Sequence, residues 1–144
     1  MILLDANILL YAFDSKSVFH KIALSYLEEA INTQAVVGLS WLTVLAFVRI
    51  TTSSKSLVRP LSFQAASQII VELLEQDSVK IIDPSPEFWK AFVTGSLKAQ
   101  VKGGLTTDAF LAALAIERGL TLVSADKDFL RFEGLKLFNP FAQL

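Results

Sequence analysis

The sequence predicts an α/β fold, a mostly parallel sheet with helices on both faces, and three observations predict it. Short, wholly or largely apolar runs of strand length alternate with longer segments whose apolar residues recur at three and four residue intervals. Those runs, ILL at residues 2–4, AVVG at 35–38, VKII at 79–82 and TLVS at 121–124, suit strands covered on both sides. No linker, internal repeat or low-complexity tract divides the 144 residues, so a single domain over 1–144 is expected.

Taken in order, ILL is a buried strand followed by helical material from about Asn7, with a clearer amphipathic segment through KIALSYLEEAI. After AVVG, Ser40 is placed to cap a helix WLTVLAFVRITT, and SSKS then reads as a loop. Ser62 caps a second helix, FQAASQIIVELLEQ, and VKII returns to the sheet. DPSP breaks the chain before a helix from about Pro86 to Gln100, and VKGG is a flexible loop. The helix TTDAFLAALAIERG carries a capping Thr at its start and Gly119 at its end. TLVS is followed by a turn and short helix, ADKDFLRF, and LKLF is an edge strand.

Composition bounds the chemistry. There is no cysteine and one histidine, which excludes disulfides and thiolate metal sites and leaves oxygen as the ligand for any metal. A net charge of -1 lacks the basic balance that gives sequence-independent nucleic-acid affinity, so a polyanion would need a local patch. Arg49, Lys55, Arg59, Lys98 and Lys102 offer one, although scattered solubilising charge explains them as well. The N-terminus reads as mature structure without a secretory leader, and the longest uncharged stretch is interrupted by polar residues, so a cytoplasmic, non-membrane protein is expected. Hydrophobic residues make up 53% of the chain, a surplus that points to an oligomer interface or a partner groove.

Four aspartates fall at element ends. Asp5 follows the first strand, Asp126 and Asp128 follow the strand TLVS, and Asp108 opens its helix. In an open parallel sheet, sites form beyond the carboxyl ends of strands, which brings Asp5 and Asp126 to one edge. Asp108 shares a helical stripe with Leu111, Ala112 and Ala115, so it faces inward and can join them. Singly, each has a structural explanation: Asp5 as an N-cap, Asp108 in a dipole-stabilised first turn, Asp126 and Asp128 in a polar turn. Together they would repel and hold protons unless a cation neutralised them. Oxygen ligands favour Mg²⁺ or Mn²⁺ over Zn²⁺, and such a site suits phosphodiester hydrolysis.

LLDANILLYA, TTDAFLAALAIERG and LVSADKDF, in this order and spacing across the whole chain, resemble the PIN domain, especially the VapC-type toxin ribonucleases. The resemblance implies a PIN-like three-layer α/β/α sandwich with a central mostly parallel sheet and Mg²⁺- or Mn²⁺-dependent RNA cleavage. It also implies a homodimer and inhibition by a small cognate antitoxin in the active-site groove. Carried over by position, Asp5, Asp108 and Asp126 match the metal-binding, catalytic acids, and Asp128 is a supporting metal ligand. Asn7 and Ser124 match positions that orient the acids or the water, and Thr107 is the helix-cap neighbour.

One departure stands out. The family usually carries a Glu three residues before an Arg on the helix after the second strand; here Ala46 stands three before Arg49. The site therefore lacks one carboxylate, which bears on a second metal more than on the first. Arg49 is available to contact phosphate, with a surface salt bridge as its equal alternative. The competing functional reading is a PIN-fold RNA- or protein-binding module weakened by that loss. A dehalogenase-like phosphatase would need an Asp where Asn7 stands, and a serine hydrolase a nucleophile elbow that the chain lacks. His20 is assigned to a surface or interface. Helical spacing assigns Trp41, Phe47, Trp89 and Phe92 to core or dimer packing rather than base stacking.

Overall fold

A computed structural model describes residues 1–57 and 59–142. Strands β1 (Ile2–Leu4), β2 (Val37–Leu39), β3 (Val79–Ile81), β4 (Thr121–Val123) and β5 (Leu137–Phe138) form one sheet in the order β3-β2-β1-β4-β5. Every neighbouring pair is parallel. Parallel neighbours require crossovers, and the helices supply them: α1 (Ala6–Phe13), α2 (His20–Thr33), α3 (Trp41–Thr51), α4 (Phe63–Leu74), α5 (Phe88–Lys98) and α6 (Leu105–Arg118).

Alternation along β1 divides the interior in two. Ile2 and Leu4 face a cluster with Leu9, Leu27, Val37, Leu39 and Phe47, which draws on α1 to α4. Leu3 faces the opposite way, into a cluster with Phe92, Leu114, Leu122 and Phe129 from α5, α6 and the segment after β4. The result is three layers, α/β/α. Each fully buried leucine in these strands contributes about 1.5–3 kcal/mol, which is why strands of three residues hold.

The expected elements are present, with shifted ends. β2 lies at Val37–Leu39 rather than at AVVG, because Val37 and Leu39 pair with Ile2 and Leu4 and fill the same face. Gly38 between them pairs with Leu3, where a Cβ would lie 2.7 Å from Ile82 Cγ1 and 3.0 Å from the Ile2 carbonyl oxygen. Only glycine fits that approach. Ser40 and Ser62 cap α3 and α4 through hydrogen bonds from the Leu42 and Ala65 amides. α5 is shorter than expected: the Phe88 amide bonds to the Ser85 carbonyl at its start, and Gln100, at φ 55°, ends it in the left-handed region.

The start of α6 corrects the sequence reading. The helix begins at Leu105, with Gly104 as N-cap and no side-chain cap, so neither Thr106 nor Thr107 is the capping residue. Gly103, at φ 58°, closes a turn that lets the Thr106 amide bond to the Gly103 carbonyl, which draws the preceding residues into helix. Thr107 Oγ1 instead donates to the Gly104 carbonyl at 3.4 Å. Gly119 ends α6 at φ 65°, as expected. The short helix after β4 is a 3-10 turn over Lys127–Arg131, and β5 is an edge strand. Among the described residues no helix is long and apolar enough to cross a membrane.

Candidate metal centre

The strand order reverses direction between β1 and β4: β2 and β3 extend one way from β1, while β5 lies beyond β4. A crevice opens at such a switch point beyond the strands' carboxyl ends. Asp5 follows β1 there, and Ser124 to Asp128 follow β4.

The two chain segments are tied by side chains. Ser124, fully buried, donates to Asp5 Oδ2 at 2.7 Å and accepts from the Asp126 amide at 3.0 Å. Asn7 donates from Nδ2 to Asp5 Oδ2 and to Ser124 Oγ, both at 3.1 Å, and its Oδ1 accepts from the Ala125 amide at 3.3 Å. Asp5 Oδ1 accepts from the Ala6 amide at 2.7 Å, so Asp5 also caps α1. A carboxylate offers about four lone-pair sites. Three are taken, and one on Oδ1 remains. Burial nonetheless raises the Asp5 pKa; the Ser124 and Ala6 hydrogen bonds oppose it and the charge of Asp126 adds to it.

Asp108 comes from the opposite side, in the first turn of α6. Leu111, Ala112 and Ala115 are buried below it, as the stripe predicts. Its carboxylate and those of Asp126 and Asp128 each present an oxygen within 4.8 Å of the others. Burial, then the charges of Asp126, Asp5 and Asp128, push the Asp108 pKa up to about 6, with Arg131 opposing. Asp126 caps the 3-10 turn through the Asp128 amide at 2.8 Å, which fixes the two acids relative to each other.

This donor set fits a hard divalent cation. Oxygens bound to Mg²⁺ at about 2.1 Å lie roughly 3 Å apart on adjacent octahedral positions, and the three acids already stand within 4.8 Å of one another. Mutual repulsion among the acids is the force that a bound cation would relieve.

The sequence-derived site is therefore brought together, with a division the sequence did not show. Asp108, Asp126 and Asp128 form the close trio, whereas Asp5 stands beside it, held by Asn7 and Ser124. Thr107 lines the same crevice without capping α6. Helix α3 forms a further wall: Leu42, Leu45, Ala46 and Arg49, spaced by three and four residues, border a cavity of about 520 Å³ with Asp5 and Asp108. Ala46 thus borders the same cavity as Asp5 and Asp108. Sequence reasoning missed Thr43, which is buried and donates to the Leu4 carbonyl at 3.0 Å, fixing α3 beside the acids. A threonine inside an apolar helix gives no local sign of that bond. Arg131 was missed too, as one basic residue in a polar turn.

Other expected residues lie elsewhere. Arg59 borders a cavity with Lys16 and Asp14, and Lys98 one between α5 and α6, so the basic residues are dispersed. His20 begins α2 and its Nδ1 lies 3.1 Å from the Tyr11 carbonyl, a structural contact. Phe47 and Phe92 are core residues, while Trp41 and Trp89 are exposed.

The chain is similar to known proteins over nearly its whole length. The chain is 36% identical over 144 residues to Ribonuclease VapC37 of Mycobacterium tuberculosis, with 100% of each chain covered. It is 32% identical over 143 residues to Ribonuclease VapC33 of the same species, covering 99% of this chain and 100% of that one. Among solved structures, VapBC2 from Rickettsia felis, bound to a promoter DNA fragment, matches with a TM-score of 0.71 at 21% identity, covering 96% of this chain and 98% of that one. PAE2754 from Pyrobaculum aerophilum matches with a TM-score of 0.64 at 18% identity, covering 96% and 88%. The family model described as PIN domain matches residues 2–135, and the chain accordingly belongs to the PIN domain family.

Proposed function

We propose that this protein is a Mg²⁺- or Mn²⁺-dependent endoribonuclease, the toxin of a toxin–antitoxin pair. The observation that carries the reading is the convergence of Asp108, Asp126 and Asp128 to within 4.8 Å at the sheet's switch point, with Asp5 alongside. The names of its full-length relatives, ribonucleases at 32–36% identity, support the activity. Relatives of the same fold solved as VapBC complexes support a small antitoxin as partner.

Asp108, Asp126 and Asp128 would hold the cation, with the free lone pair of Asp5 Oδ1 beside them. When bound, the cation supplies charge neutralisation and Lewis-acid activation of water and phosphate. The chain supplies orientation. Ser124 and Asn7 fix the Asp5 carboxylate, and Ser124 ties the Asp126 backbone to the same network. Thr43 fixes the α3 wall against β1.

Large apolar side chains stand exposed on several helices, among them Trp41, Leu45, Phe63 and Trp89, and support a homodimer whose second copy and antitoxin cover them. The position of Ala46 favours a second reading, a binding module that holds RNA or protein without cutting it.

Asp5→Asn, Asp108→Asn and Asp126→Asn variants separate the two. Each is expected to fold and to lose metal-dependent cleavage of a single-stranded RNA by at least about 10²-fold. Full cleavage by all three would refute the site, and an inactive wild-type chain that still binds RNA would select the module.

A further inference from the structure

The acidic crevice has a cation of its own on the α3 wall. Arg49 borders the same cavity of about 520 Å³ as Asp5 and Asp108, one helical turn beyond Ala46. Among the described residues its guanidinium has no ion-pair partner, and the only ion pair joins Arg118 to Glu117. Arg49 on α3 and Asp108 on α6 border this cavity together, with no ion pair between them. A Glu at 46 would lie three residues away on the same helical face, where it would engage Arg49 directly. Alanine there offers neither an ion-pair partner for the guanidinium nor a metal ligand.

Charge points the same way. Four carboxylates border the crevice, and one divalent cation leaves them short of neutrality before an anionic phosphodiester arrives. Arg49 adds one positive charge in a rigid donor fork that matches phosphate oxygens. The cavity that Arg49 lines with Asp5 and Asp108 is of the size that accommodates a small ligand group.

We propose that this site uses a single divalent cation, and that Arg49 is a catalytic residue that binds a non-bridging oxygen of the scissile phosphodiester in place of a second metal. The proposal rests on the ribonuclease reading. In the hydrolysis, a bond forms from water oxygen to phosphorus and the bond from phosphorus to the leaving ribose oxygen breaks. One proton leaves the water and one arrives on the departing oxygen. Arg49 stabilises the charge that grows on the phosphoryl oxygens.

Three measurements test it. Calorimetry with Mn²⁺ on the wild-type chain is expected to give one equivalent per chain, and two equivalents would overturn the proposal. Arg49→Gln is expected to bind Mn²⁺ unchanged, to melt as wild type, and to cleave about 10²–10³-fold more slowly. Metal-free Arg49→Gln should also bind a 2′-O-methyl oligoribonucleotide more weakly, with the salt slope reduced by about 0.7. Undiminished cleavage or an unchanged slope would overturn the role of Arg49. Ala46→Glu is expected to raise Mn²⁺ uptake to two equivalents; one equivalent would mean that position 46 does not limit the site. A wild-type chain that cuts no RNA defeats the ribonuclease reading itself, whereas an active wild type with an indifferent Arg49→Gln defeats only this inference.

Discussion

Asp108→Asn is expected to stabilise the metal-free protein at pH 7.5 while abolishing its cleavage of RNA. The Asp108 pKa is raised from 3.8 to about 6, first by burial and then by the neighbouring acids. A raised carboxyl pKa means that the folded state holds more protons than the unfolded one between those values. Stability is therefore greatest below about pH 4, falls as pH rises toward 6, and levels off above 7. At about 1.4 kcal/mol per unit the full shift corresponds to about 3 kcal/mol. Solvent screening at this partly exposed side chain cuts it to about 1–2 kcal/mol. Asparagine never ionises and escapes that cost, so for a chain of this size the melting temperature should rise by about 3–7 °C. Thermal unfolding in EDTA at pH 4 and pH 7.5 reads the effect: the variant gains over wild type only at the higher pH. Saturating Mg²⁺ should reverse the order, because binding favours only a folded chain with its ligands intact. A variant less stable than wild type in EDTA at pH 7.5 would show that ionised Asp108 carries no net cost in the folded chain, and the argument for a cation would fail with it.

Two further substitutions probe the frame that holds the acids. Ser124→Ala removes the donor to Asp5 and leaves the half-buried Asp126 amide without its acceptor. Urea denaturation should show a loss of about 1–3 kcal/mol, and the acidic limb of the pH–rate profile should move upward, since the Ser124 hydrogen bond lowers the Asp5 pKa; an unmoved limb would disconnect Asp5 from the chemistry. Gly38→Ala forces a methyl group to within 2.7 Å of Ile82 Cγ1, and should cost about 1–3 kcal/mol in the same assay with Mn²⁺ affinity retained. Unchanged stability would mean that β2 and β3 yield more easily than their packing indicates.

Local chemistry was legible wherever a residue acts on its immediate neighbours. Ser40 and Ser62 bond to amides two and three residues on, and Gly119 adopts its left-handed turn without help from the rest of the chain. Asp5 and Asp126 were readable as strand-end acids because apolar runs precede both. Contacts between distant segments were not. The bond from Thr43 to the Leu4 carbonyl spans 39 residues, and the approach of Ile82 to Gly38 depends on sheet register. The start of α6 escaped because Gly103 and Gly104 have weak helix signals, and a turn closed by Gly103 decided the matter. The aromatics divided for the same reason: on α3, Phe47 turns inward and Trp41 outward, although both suit either face by composition.

The opening run raises a physical problem that the structure resolves in two parts. An ionised carboxylate buried after β1 would cost several kcal/mol if left unpaired. The Ala6 amide, Asn7 and Ser124 meet three of its lone pairs, so part of that cost is offset by the chain's own donors before any cation is considered. Those donors do not lower its pKa below the ordinary value, because burial outweighs them. Asp108 has no comparable set of donors, and burial followed by three like charges pushes its pKa up to about 6. The demand for a cation is thus sharpest at Asp108, Asp126 and Asp128, and Asp5 is the acid that the fold holds in place by itself. Asp5→Asn should accordingly weaken Mn²⁺ binding less than Asp108→Asn does, and calorimetry returning the opposite order would place the cation at the end of β1.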